Sequence, residues 1–239
     1  YYKTQYIKGG YLFPQISDSD ICEISQNRLI QAKSPKLIIA GMSLCYEAYF
    51  DRGECIAGKS TTIIIGNEDK LKYAQTVINS TLLAFWLKIT FNSLTMSGGY
   101  FNIGTNEVAM IPIPVIEDIS AYIHMADIMQ RLNLQLIKAR LQFKRRLQTY
   151  FEGIKICGAL EKFDDREFTD ILKELKKQKF ALTLKEQDEW EEYFDSYKQQ
   201  CNDLSSQIAK TDKEIDYMVY NLYGLTEEEI KIIENANVK

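Results

Sequence analysis

The chain has 239 residues, of which 46% are hydrophobic and 26% charged, with a formal net charge of −4. That balance suits a soluble globular protein with a real core, in one large domain or two small ones. The acidic total argues against nonspecific coating of nucleic acid, yet charge is uneven: residues 1–117, 118–155 and 156–239 carry net charges of 0, +4 and −8, so a local positive face remains open. No run of eighteen apolar residues and no signal peptide is present, which points away from a membrane and toward the cytoplasm. The chain begins at Tyr1 and reads as a segment of a longer protein. Its five cysteines (Cys22, Cys45, Cys55, Cys157, Cys201) are odd in number and lack a CxxC pair, as expected of reduced thiols. With His124 as the single histidine, a zinc site or a Ser-His or Cys-His pair is hard to assemble.

Residues 1–116 hold all four prolines (Pro14, Pro35, Pro112, Pro114) and read as short β-rich runs between turns. KLIIA at 36–40 is a buried-strand pattern. Residues 44–50 are a second strand candidate, closed by Asp51-Arg52-Gly53. TTIII at 61–65 is β-branched throughout and ends at Gly66-Asn67. Over 70–89, Leu71, Ala74, Val77, Ile78, Leu82, Phe85, Trp86 and Ile89 keep a 3.6-residue spacing, which predicts one helix. A Gly-Gly turn flanked by aromatics follows at 97–101. Residues 108–113 and the Pro-Ile-Pro stretch read as a closing strand.

Two long helical patterns come next. Over 118–151, Tyr122, Met125, Met129, Leu132, Leu136, Ala139, Phe143, Leu147 and Tyr150 repeat at three and four. Over 190–222, Trp190, Phe194, Tyr197, Cys201, Leu204, Ile208, Thr211, Ile215, Met218 and Leu222 alternate without a break. This is a heptad seam, and such a helix would be about 50 Å long. So narrow a stripe needs a partner helix. The two segments are expected to pair antiparallel within one chain, in preference to a parallel homodimer, because Cys201 and Thr211 would leave poorly filled layers in a symmetric seam. Between them, 152–183 is a connector broken at Gly153 and Gly158, with an amphipathic helix carrying Phe168, Ile171, Leu172 and Leu175. Thr183 with Glu186 and Thr226 with Glu229 are capping boxes, and Gly224 is a helix stop.

Residues 53–60 (GECIAGKS) satisfy the phosphate-loop pattern GxxxxGK[ST]. That chemistry needs a helix starting at the Lys-Ser, whereas TTIII follows, so a chance match is the reading. Lys138, Arg140, Lys144, Arg145 and Arg146 form either a solvated helix face or a phosphate-contacting stripe. Arg28, Lys33, Lys36, Arg52, Lys59, Ser60 and Thr61 fall near loops or strand ends. Together with Ser97, Tyr100, Phe101 and Asn102 on the Gly-Gly loop, they could furnish backbone and base-edge contacts to DNA.

Taken in order, KLIIA, TTIII, residues 73–86 (YAQTVINSTLLAFW), 97–102 (SGGYFN), 111–114 (IPIP) and a long helix resemble the TaqI-like C-terminal specificity domain. Residues 216–234 (DYMVYNLYGLTEEEIKIIE) look like the tail common to single-chain restriction-modification enzymes and adenine-specific DNA methyltransferases. The rod resembles the helical spacers of type I specificity subunits. The resemblance implies a module that recognises a double-stranded DNA target, while a separate part of the parent chain methylates adenine and, in some members, cleaves. The Asn-Pro-Pro-Tyr motif, an FxGxG loop and a PD…ExK signature are absent, so S-adenosylmethionine and magnesium would belong to the parent enzyme and not to this part. The expectation is an α+β (or α/β) chain: a mixed-sheet recognition domain at 1–117, then a helical hairpin at 118–239 with a terminal helix at 226–236. It is expected to be a monomer, its spacer seam formed by Leu132, Leu136, Phe143, Trp190, Phe194, Leu204, Ile208 and Ile215. The alternative function is a protein–protein adapter built on the coiled coil.

Overall fold

The structure, a computed structural model, describes residues 26–58 and 60–236. Helix α1 (Gln26–Lys33) leads into strand β1 (Lys36–Ala40), followed by β2 (Met42–Ser43), β3 (Ala48–Asp51) and β4 (Thr61–Ile65). Helices α2 (Glu68–Ile78) and α3 (Thr81–Thr90), strand β5 (Phe101–Asn102) and helix α4 (Thr105–Ala109) come next. The long helices α5 (Ser120–Tyr150) and α7 (Leu184–Leu222) flank α6 (Phe168–Lys177), and α8 (Glu227–Asn235) ends the described chain.

The fold is α+β. Its two sheets are small and antiparallel: β3-β1-β4, and β2-β5. The expected mixed sheet is therefore corrected, since no strand among the described residues pairs in parallel. β1 meets β3 and β4 within a short stretch of chain, whereas β2 meets β5 only after two helices have intervened, and no βαβ unit forms.

In β1 the residue pattern sets the burial. Leu37 and Ile39 face the main core with Phe50, Ala48 and Ile64, and they meet Leu71, Val77, Ile78, Leu83 and Leu87 from α2 and α3. Ile38, on the other face, is also buried, so the unbroken apolar run of KLIIA marks a strand covered on both sides.

The single helix expected over 70–89 is two, broken at Asn79-Ser80. The apolar period carries on through the break, but the side chains there bond elsewhere. Asn79 pairs with the outer edge of β3: its Oδ1 accepts the Ala48 N–H at 2.8 Å and its Nδ2 donates to the Ala48 carbonyl at 2.9 Å. Ser80 Oγ caps α3 by accepting the Leu83 N–H at 3.3 Å. The strand expected at 108–113 is also corrected. Residues of that stretch form the end of α4 and then an extended segment without ladder partners, where Pro112 and Pro114 have no N–H to give. The strand expected at 44–50 is confined to Ala48–Asp51.

The chain divides into two compact units, Tyr1–Ile128 with Thr211–Lys239, and Met129–Lys210. The division does not fall at 117/118. The tail belongs to the first unit because Ile215, Val219 and Tyr220 are buried there. Leu222 and Tyr223 pack on its core, and Asp216 accepts both the Thr81 N–H at 2.7 Å and the Thr81 hydroxyl at 2.5 Å. The pieces of sequence that carry the resemblance meet in this unit. Tyr73 donates to the Pro114 carbonyl at 2.8 Å, Tyr223 to that of Pro112, and Tyr122 to that of Met218 at 3.3 Å.

The second unit is an antiparallel helix pair closed by the connector. Phe143 of α5 stacks on Phe163 at 4.0 Å and contacts Phe194 at 6.0 Å, while Tyr150 meets Trp190 at 5.2 Å. Residue numbers thus rise along α5 as they fall along α7. Met129, Leu132, Leu136, Ala139, Phe143, Leu147, Trp190, Phe194, Cys201 and Leu204 are buried, and Ile208 is half-buried. Both capping boxes form, at Thr183–Glu186 and Thr226–Glu229.

Candidate functional site

The residues singled out as DNA contacts fall at opposite ends of the three-stranded sheet. Lys36 pairs in register with Asp51 and Ile65 at one end. Ala40 pairs with Thr61 at the other.

At the first end, Arg28 and Lys33 are exposed on α1, and Arg52 reaches Glu68 at 3.1 Å. Lys36 is corrected as a surface contact. It is fully buried, pairs with Asp51 and donates to the Ala32 carbonyl at 2.7 Å. A strand-initial lysine in a run buried on both faces is driven inside with its counter-ion.

Asp51 also accepts the N–H groups of Gly53, Glu54 and Cys55 at 3.1–3.2 Å. Burial alone would raise its carboxyl pKa. Hydrogen bonds from Lys36 and Cys55 and the Lys36 charge outweigh it, and the net shift is downward. Gly53 is obligatory at this turn. Its φ is +103°, and a Cβ would lie 2.2 Å from the Lys33 carbonyl oxygen. The phosphate-loop pattern runs into β4 rather than a helix, and the amides of its first three residues already hold Asp51. Lys59 lies outside the described residues.

The second end gathers Ser60, Thr61, Asn102 and the 95–100 loop around Gly41. The Gly41 N–H donates to the Ser60 carbonyl at 2.9 Å, and the Gly41 carbonyl accepts from Ile103 at 2.8 Å. Met42 pairs with Asn102 and Ser43 with Phe101, with Thr95 bridged to Phe101 beyond. Antiparallel partners share a face and neighbours alternate. Ser43, Cys45, Phe101 and Ile103 accordingly point inward and are buried. Met42, Leu44, Met96, Tyr100 and Asn102 are exposed, the first four at 53%, 51%, 49% and 37%. Phe101 is therefore corrected from contact residue to core. Ser97 opens the short turn before Gly98 and Gly99, whose φ values of +80° and +81° demand glycine.

Met42, Leu44 and Met96 were not among the expected contacts. The period-two alternation of residues 42–45 against 100–103 would have marked them, had the two stretches been read as paired. Together the five side chains make an apolar ribbon face carrying one amide and one phenol.

In the second unit, Lys138, Arg145 and Arg146 are exposed. Arg146 lies over the Tyr193 ring at 6.0 Å. Arg140 is bonded to the buried Asp164 at 2.5 Å. Burial holds the half-buried Lys144 below the usual lysine pKa; Glu161 pulls it back up and Arg140 lowers it. A shallow groove beside the seam is lined by Gln135, Gln142, Gln199, Gln200 and Gln207. His124 is exposed on α5. Among the described residues no cluster of His, Cys, Asp and Glu could hold a metal, and no helix is long and apolar enough to cross a membrane.

Compared with known proteins, residues 116–219 match the model of a domain of unknown function, DUF8810. That stretch takes in α5, the connector and most of α7. No curated protein and no solved structure matches the chain.

Proposed function

We propose that the first unit reads a short duplex DNA sequence through its ribbon face, and that the helical unit is the spacer of a restriction-modification methyltransferase whose catalytic part lies elsewhere in the parent chain. The observation that carries this reading is the gathering of Asn102, Tyr100, Met42, Leu44 and Met96 on one exposed face of the β2-β5 ribbon. An asparagine amide suits an adenine edge, and apolar side chains suit thymine methyl groups, in a major groove that admits a two-stranded ribbon. Arg28, Lys33 and Arg52, at the opposite end of the sheet, would supply phosphate contacts and not base contacts. The methylating part of the parent would hold S-adenosylmethionine, and the whole would work in the cytoplasm.

Selection from a random duplex library at low salt tests this. A short enriched motif, bound less tightly as salt rises, is the expected result. Retention of duplex no greater than that of an acidic control protein would overturn it.

A second reading, a protein-docking adapter, is favoured by the ribbon face itself, where apolar side chains outnumber the amide. Binding that ignores salt and is lost in Leu44→Asp would select it.

A further inference from the structure

We propose that Asp216 is a positioning residue for the ribbon face, and that the tail from Thr211 onward is part of the reading apparatus and not of the spacer. This rests on the DNA-reading proposal above.

Asp216 sits on α7, yet its carboxylate binds the amino end of α3, 135 residues earlier in the chain, through both the N–H and the hydroxyl of Thr81. A carboxylate there satisfies a helix-end donor and complements the positive end of the helix dipole. At the same helix end Ser80 caps Leu83. Further along α3, Lys88 donates to the Ala236 carbonyl at 3.2 Å, past the end of α8. The tail therefore holds α3 at both ends.

What α3 leads to gives the clamp its purpose. The helix ends at Thr90, a short turn occupies Asn92–Leu94, and Thr95 already bridges to Phe101 of the ribbon. The link is stiffened by the Phe91 ring, buried edge-on against Trp86 at 5.5 Å, with Trp86 stacked on Tyr46 at 6.5 Å. Tyr46 in turn donates to the Glu107 carbonyl on α4. A shift of α3 along its axis would be passed within six residues to Met96, whose N–H donates to the Tyr100 carbonyl at 2.7 Å. Base-edge contacts tolerate little such misplacement, whereas phosphate contacts from flexible lysines and arginines tolerate more.

The test uses Asp216→Asn, which keeps the shape but can no longer accept both bonds as an anion, and Thr81→Val, which removes the hydroxyl bond alone. Hydrogen exchange is followed at two ribbon amides, Met96 and Ile103, and at β1. In Asp216→Asn the ribbon amides are expected to exchange about tenfold faster while β1 keeps its protection. Thr81→Val should show a smaller change of the same pattern, and it carries the test should Asp216→Asn fail to fold. In DNA selection, Asp216→Asn should flatten base preference while low-salt affinity for bulk duplex persists. Unchanged ribbon amides, or equal acceleration at β1, would overturn the positioning role. Faster ribbon amides in a protein that shows no duplex preference when unmutated would uphold the clamp and remove the DNA reading.

Discussion

The two units reach stability by different routes. In the second, side chains at a three-and-four repeat meet across two helices, and rings from Phe143, Phe163, Phe194 and Trp190 fill the space between. Many similar contacts share the load. In the first, the apolar core is tied by a few polar contacts between distant residues: Lys36 to Asp51, Asn79 to Ala48, Thr81 to Asp216, Tyr73 to Pro114. A redundant apolar seam tolerates change that keeps volume. A fold pinned by isolated polar bonds does not, because each lost partner strands a buried group.

The contrast can be broken by experiment. Lys36→Met should show the largest effect, about 3–5 kcal/mol by urea denaturation, because it leaves the Asp51 carboxylate buried and uncompensated. A loss below about 1 kcal/mol would mean that the pair does not pin the first unit. Phe143→Ala should cost a comparable 3–5 kcal/mol or so through the cavity it leaves. Leu136→Met in the same seam should cost less than about 1.5 kcal/mol. A larger loss there would show that the helical unit is not tolerant after all.

Asn102→Ala should leave stability within about 0.5 kcal/mol, since the side chain is exposed. If the ribbon reads bases, it should cost about 1–3 kcal/mol of discrimination at a single base pair, measured by competition binding. Ser80→Ala removes the α3 cap and should cost about 1 kcal/mol.

Acid should act on the first unit through Asp51. Its folded pKa is lowered, so the stability it contributes is full above the unfolded carboxylate value of about 3.9 and is lost as pH falls through the folded one. Urea midpoints between roughly pH 2 and 6 should therefore fall on acidification, and Asp51→Asn should remove that part of the slope.

What could be read from the sequence follows the same divide. The heptad seam was legible because a periodic apolar stripe reports a local geometry repeated many times. KLIIA and TTIII were legible as strands for a similar reason. The break at Asn79-Ser80 was not, because the apolar period runs straight through it. Only the edge-strand backbone of Ala48, 31 residues earlier, calls the Asn79 amide away from the helix. Lys36 looked like a solvent-facing strand end because nothing local announces Asp51 as its partner. The tail looked like the end of a rod because its attachment to Thr81 is a contact between residues far apart in the chain. Tyr100 and Asn102 were singled out, but their neighbours on the ribbon face are Met42 in β2, Leu44 just after it and Met96 in the preceding loop, and pairing of two-residue strands leaves almost no trace in composition.

The nest of amides that follows β3 shows how a protein can supply its own anion. Spacing of glycine, lysine and serine describes a vessel for phosphate, and by that spacing this chain qualifies. Its first three amides are already taken, by the carboxylate of Asp51 at the end of β3. A nucleotide would have to evict a tenant that is covalently part of the house and tied to a buried ammonium.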